Sequence, residues 1–194
     1  MKLFILRHED RPIDCSFFSP LTEKGLINAK NLVPILTKCK INYIISSPFI
    51  RTLQTILPYS KKHNININIE YSLSELHHEN LISKQAYGVS LPTYLEKFFN
   101  NNKNYKTLIN PTDIVYPETM EHIDKRLKIF LKYLFSTYHN TNYNIVLVTH
   151  QALCNVLIKI ISKYKSINES LLTTYPKGKL CLVYDNEWCC TEIN

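Results

Sequence analysis

Three short apolar runs in this chain each break off at polar or charged residues, and that repeated pattern constrains the fold more than any other feature. Lys2 to Leu6 runs into Arg7-His8, Tyr43-Ile44-Ile45 into Ser46-Ser47-Pro48, and Ile145 to Val148 into Thr149-His150. Apolar runs of this kind are the mark of strands buried on both faces, as in a parallel sheet. Between them the spacing becomes helical: Leu26, Ala29, Val33 and Leu36 after Thr22, and a second helix through Arg51 and Gln54. Pro34 is expected to kink or shorten the first helix, and Pro58 to limit the second. Thr119 opens a third, with Ile123, Leu127, Phe130, Leu131 and Leu134 on one face, and Leu153, Val156, Leu157, Ile160 and Ile161 mark a fourth. Ile65, Ile67 and Ile69 alternate with asparagines, as in a half-buried or edge strand. Lys179 to Tyr184 and Trp188 to Glu192 read as a closing hairpin around Asp185-Asn186. The expectation is one α/β domain over residues 1–194, a three-layer sandwich with a mainly parallel central sheet. The poorly patterned stretch at about 76–118 is expected to be an insertion or lid.

Composition narrows the function classes. With only 3 glycines there is no Walker-type loop and no dinucleotide fingerprint. The net charge of +7 favours anionic partners, but the lysines are scattered rather than clustered with aromatics, so no nucleic-acid groove is expected. The six cysteines form no C-x-x-C pair and read as reduced thiols. The apolar start is cut by Arg7-His8, too short for a signal sequence, and no stretch approaches membrane-spanning length, so a cytoplasmic protein without membrane contact is expected.

In open α/β sheets the carboxyl ends of the strands line the ligand crevice. Arg7, His8, Arg51 and His150, far apart in sequence, can therefore meet in one pocket. Arginine forks match phosphate oxygens, and a neutral imidazole can attack phosphorus.

At these residues the sequence resembles the histidine phosphatase (phosphoglycerate mutase-like) superfamily. Leu6-Arg7-His8-Glu9 looks like its signature, and Leu21-Thr22-Glu23-Lys24-Gly25 like the next motif. The stretch from Ser46 to Thr55 is similar to its second-arginine motif. Tyr116-Pro117-Glu118-Thr119 with Arg126 looks like a weaker helix-start motif, and Val148-Thr149-His150 resembles the second-histidine motif. The resemblance implies a phosphatase working in two steps without metal or cofactor. His8 would take the phosphoryl group while Arg7, Arg51 and His150 hold its oxygens. Substrate contacts are expected from Arg7, Arg51, His150, Gln151 and His78. Gln151 and Ala152 follow His150, which excludes an acid there. Leu73-Ser74-Glu75-Leu76 matches the other family placement of the proton donor, so Glu75 is expected in that role, with Glu79 as the fallback. The partner would be a small phosphorylated metabolite or a phosphorylated protein residue.

Two departures bear on the substrate. Glu9 stands where the family usually has glycine, beside the phosphate site, where Arg11 or Arg51 would have to offset its charge. His77-His78-Glu79 replaces a glycine usually seen after the catalytic glutamate. A phosphoglycerate-type mutase and a non-catalytic phosphate-binding member of the same fold are the alternatives. A metal-dependent hydrolase fits poorly, because adjacent His77 and His78 do not easily reach one ion and no H-E-x-x-H is present. Tyr87, Tyr94, Phe98, Phe99 and Tyr105 leave two options for the lid, an aromatic mouth for substrate or aromatics packed on each other.

Overall fold

The computed structural model of the chain describes residues 1–79, 89–164 and 170–194. Residues 80–88 of the expected lid, Lys84 and Tyr87 among them, lie outside the described residues. In chain order the elements are β1 (Lys2–Arg7), α1 (Glu23–Lys38), β2 (Tyr43–Ser46), α2 (Ile50–His63), β3 (Ile67–Ile69), α3 (Thr93–Glu96), α4 (Met120–Tyr138), β4 (Asn144–Thr149), α5 (Gln151–Ile161), α6 (Ser170–Thr173), β5 (Leu180–Asp185) and β6 (Glu187–Glu192). The strands form one sheet in the order β3-β2-β4-β1-β5-β6. β3, β2, β4 and β1 are parallel, while β5 and β6 add an antiparallel hairpin beside β1.

Alternation along the strands divides the core between the two faces of the sheet. Leu3, Ile5, Ile45, Ile145 and Leu147 pack with α4 and α5, whereas Phe4, Leu6, Ile44, Val146 and Val148 pack with α1 and α2. Helices on both faces make the expected three-layer sandwich.

Neither proline ends its helix, so the expected shortening does not occur. α1 continues four residues past Pro34 to Lys38, and α2 five past Pro58 to His63. Pro34 and Lys30 both face solvent, so water can satisfy the Lys30 carbonyl that the proline ring leaves unpaired. Leu26 is 41% exposed, and Gly25 faces inward in its place. A Cβ at Gly25 would stand 2.2 Å from the Asp10 carbonyl oxygen, so glycine lets α1 press against the loop after β1.

β3 is an edge strand, as its alternation predicts, and it is covered. Ile67 N–H donates to Asn100 and its carbonyl accepts from Asn102 N–H, which shields an edge otherwise open to pairing. The buried carboxylate of Glu70 accepts from Tyr105 Oη, Thr107 Oγ1 and the N–H groups of Ser72 and Leu108, tying residues 105–108 to the end of β3. Phe99 is buried with the α2-side core, while Tyr94 and Phe98 are exposed. These aromatics therefore form no common mouth among the described residues. No helix among the described residues is long and apolar enough to cross a membrane.

Candidate active site

Strand register sets the site. Arg7 on β1 pairs with Thr149 on β4, and Ser46 on β2 with Val148. Pairing continues one residue further: His8 N–H donates to the Thr149 carbonyl and Ser47 N–H to the Val148 carbonyl, both at 3.0 Å. His8 thus stands opposite His150, and Ser47 one residue short of them, at the carboxyl ends of three neighbouring strands. α5 starts immediately after His150, and the free N–H groups of its first turn favour a negative ligand there.

His8 is buried, with Nδ1 2.7 Å from the Glu9 carbonyl oxygen. A carbonyl only accepts, so Nδ1 carries the proton and Nε2 keeps its lone pair. Burial, reinforced by Arg51, holds the His8 pKa well below its ordinary value. The ring is therefore neutral near neutral pH, the form a nucleophile needs.

His150 is fully buried, and its ring packs edge-on to His8 with centroids 5.3 Å apart. Ser47 Oγ lies 2.8 Å from Nε2 and Glu75 Oε2 3.5 Å from Nδ1. A carboxyl oxygen facing Nδ1 favours the proton there, which leaves Nε2 to accept from the Ser47 hydroxyl. Burial, then Arg51 and His8, push the His150 pKa well down.

Arg51 is fully buried. Nη1 donates to the Ser16 carbonyl at 2.8 Å, the guanidinium lies over the Phe49 ring at 4.6 Å, and Nη2 is 3.7 Å from Glu75 Oε2. Burial lowers its pKa to about 10, partly opposed by Glu75, so it stays charged. Arg7 donates through Nη1 to the Tyr175 carbonyl. Arg7 Nε, Arg51 Nε and Nη2, and His150 Nδ1 are buried without a hydrogen-bond partner. Each unmet buried donor costs on the order of 1–3 kcal/mol. A tetrahedral oxyanion would supply the missing acceptors.

His8, Glu75 and His150 each bring a ligand atom within 4.8 Å of the others, a spacing that also suits a metal ion. The charges favour an anion instead, since a cation would sit against the guanidinium that already faces Glu75. The structure thus brings together Arg7, His8, Arg51, Glu75 and His150. Gln151 begins α5 and is half-buried. Of the adjacent histidines, His77 is the buried one, 6.3 Å from the Phe49 ring, while His78 is half-buried and Glu79 exposed. Glu9 does not pair with Arg11 or Arg51. Its Oε2 accepts from Asn28 Nδ2 at 3.2 Å, and Arg11 instead bonds the carbonyls of Pro12, Ile13 and Asp14.

Sequence reasoning missed the supporting residues. Ser47 and Phe49 lie in a motif it singled out, but their partner His150 is about a hundred positions away. The Tyr175 carbonyl has no side-chain signature at all.

Residues 16–182 match the model of the histidine phosphatase superfamily (branch 1). A protein named "Putative phosphoserine phosphatase 2", from Hydrogenobacter thermophilus, is 25% identical over 185 residues, covering 90% of this chain and 86% of that protein. Three solved structures share the fold. The ecdysone phosphate phosphatase of Bombix mori, in complex with tungstate, has a TM-score of 0.73 at 15% identity, over 98% of this chain and 91% of that one. A mycobacterial glucosyl-3-phosphoglycerate phosphatase complexed with VO3 gives 0.67 at 15%, over 97% and 96%. The alpha-ribazole phosphatase of Shigella flexneri gives 0.65 at 19%, over 99% and 94%.

Proposed function

The chain belongs to the histidine phosphatase superfamily, and from that membership we propose that it hydrolyses small phosphomonoesters through a phosphohistidine on His8. The observation that carries this reading is the set of buried, unpartnered donors on Arg7, Arg51 and His150 around a neutral His8.

In the first step His8 Nε2 attacks phosphorus in line, the Nε2–P bond forms and the P–O bond to the alcohol breaks. Arg7, Arg51, His150 and the first turn of α5 hold the equatorial oxygens, where charge is spread in the transition state. The bond from Nδ1–H to the Glu9 carbonyl holds the ring as its charge changes. Glu75 in its acid form gives a proton to the leaving oxygen. In the second step the Glu75 carboxylate takes a proton from water, which attacks phosphorus and frees His8 and inorganic phosphate.

Phosphatase is favoured over mutase because the similar proteins bear phosphatase names. The six free cysteines fit a reducing, cytoplasmic setting. A screen of phosphomonoesters that measures released phosphate tests the proposal. Multiple turnovers insensitive to chelators support it. Phosphoryl transfer to a second substrate hydroxyl would make the protein a mutase, and labelling without turnover would make it a binding module.

A further inference from the structure

We propose that the buried Glu118–Arg126 pair is the positioning device of the proton donor: it grips the backbone on both sides of Glu75 and so aims that carboxyl at the two histidines. This rests on the reading of Glu75 as donor.

The pair is a two-bond fork, Arg126 Nε to Glu118 Oε1 at 2.9 Å and Nη2 to Oε2 at 2.8 Å. Its remaining bonds converge on one short segment. Arg126 Nη1 donates to the carbonyls of Ser72 and Ser74, at 2.7 and 3.1 Å. Glu118 Oε2 accepts from His77 N–H at 3.1 Å, and Glu118 N–H donates to the His77 carbonyl at 2.7 Å. Thr149 Oγ1, from the strand that leads to His150, donates to the Leu73 carbonyl between them at 2.8 Å. Residues 72, 73, 74 and 77 are all held, so Glu75 projects from a stretch fixed before and after it.

A buried ion pair is weak evidence for stability, because desolvation offsets much of its attraction. Geometry is what this pair supplies. Arg126 sits on α4, packed beneath the 3-10 turn Tyr71–Leu73, and carries the position of that helix to the donor segment. A donor displaced by about 1 Å loses on the order of 100-fold in rate. In the phosphorylation step that loss is confined to substrates whose leaving oxygen needs the proton, whereas the activation of water is common to all of them.

The test compares Glu75→Gln, Arg126→Lys and Glu118→Gln on an alkyl phosphate and on 4-nitrophenyl phosphate, with vanadate inhibition and thermal melting alongside. Lysine keeps a charge opposite Glu118 but cannot reach Glu118 and both carbonyls. For both clamp variants kcat/KM, which reads the phosphorylation step, should fall by about 10- to 100-fold on the alkyl phosphate and by less than about threefold on the aryl phosphate. Vanadate inhibition should stay within about twofold, and adding Glu75→Gln should cause little further loss. Equal losses of kcat/KM on both substrates with weakened vanadate binding, or no loss in the clamp variants, would overturn the inference while leaving Glu75 as donor. If Arg126→Lys does not fold, Glu118→Gln decides alone. If Glu75→Gln itself lowers kcat/KM equally on both substrates, the donor reading fails, and the positioning role falls with it.

Discussion

The carboxylate of Glu9 fills the space that a side chain at residue 178 would need: a Cβ built on Gly178 meets Glu9 Oε1 at 2.0 Å. Gly178 also has φ +67° and donates its N–H to the Arg7 carbonyl at 3.1 Å. The acidic residue that follows the nucleophile is therefore housed by a glycine ahead of β5, directly behind Arg7-His8.

Gly178→Ala should consequently lower Tm by several degrees, since the left-handed backbone alone costs on the order of 1–2 kcal/mol and the clash adds to it. The double variant Gly178→Ala with Glu9→Gly should recover the part due to the clash and not the part due to φ. Equal melting of the single and double variants would contradict a cost from the Glu9 contact.

Glu9→Gly should leave vanadate inhibition within about twofold. The carboxylate accepts from Asn28 and lies against Gly178, not Arg51, so its removal frees no donor for the oxyanion. Several-fold tighter inhibition would mean that its charge is felt at the phosphate after all, as its sequence position suggests.

Stability should fall as pH drops below about 6.5. Burial depresses the pKa values of His8 and His150, and lowers that of His77 to about 4. In that window the unfolded chain takes up protons that the folded chain refuses, so the stabilisation is complete above the unfolded histidine value and is lost as pH falls toward the folded one. Urea midpoints from pH 8 to pH 5 test this, and His77→Leu should flatten the decline. A midpoint that rises on acidification would contradict the buried neutral state.

Ser47→Ala should reduce kcat/KM by about tenfold, the loss of roughly one hydrogen bond's worth of orientation at His150. Melting should fall as well, since the change leaves His150 Nε2 buried without its donor. His150→Ala should cut the rate much more, because it removes the phosphate contact itself. An unchanged rate in Ser47→Ala would mean that Phe49 and the strand end suffice to hold the ring.

Much of this was legible in the sequence for a physical reason. Arg7, His8, Ser47, Thr149 and His150 sit at strand ends, and a parallel sheet aligns strand ends whatever the length of chain between them. Apolar period alone placed α4, α5 and the β5–β6 hairpin. What was hidden depends on three-dimensional pairing. Leu26 has the right spacing for the core, yet Gly25 takes the inward position because the Asp10 carbonyl presses there. Pro34 and Pro58 look like helix breakers, but both helices run on past them, and at Pro34 water can take the place of the missing donor. The partner of Glu9 could be guessed only from neighbours in sequence, Arg11 among them, whereas Asn28 and Gly178 come from α1 and the approach to β5. The fork of Glu118 and Arg126 was visible as a motif, but its hold on residues 72–77 was not.

The phosphohistidine itself is the most direct object to measure. Rapid quenching during turnover of a phosphorus-labelled monoester should trap an acid-labile, alkali-stable label that peptide mapping assigns to His8. His8→Ala should abolish both label and turnover, while Glu75→Gln should retain label and release it slowly. Turnover without a trapped label, or label that survives in His8→Ala, would contradict His8 as the nucleophile.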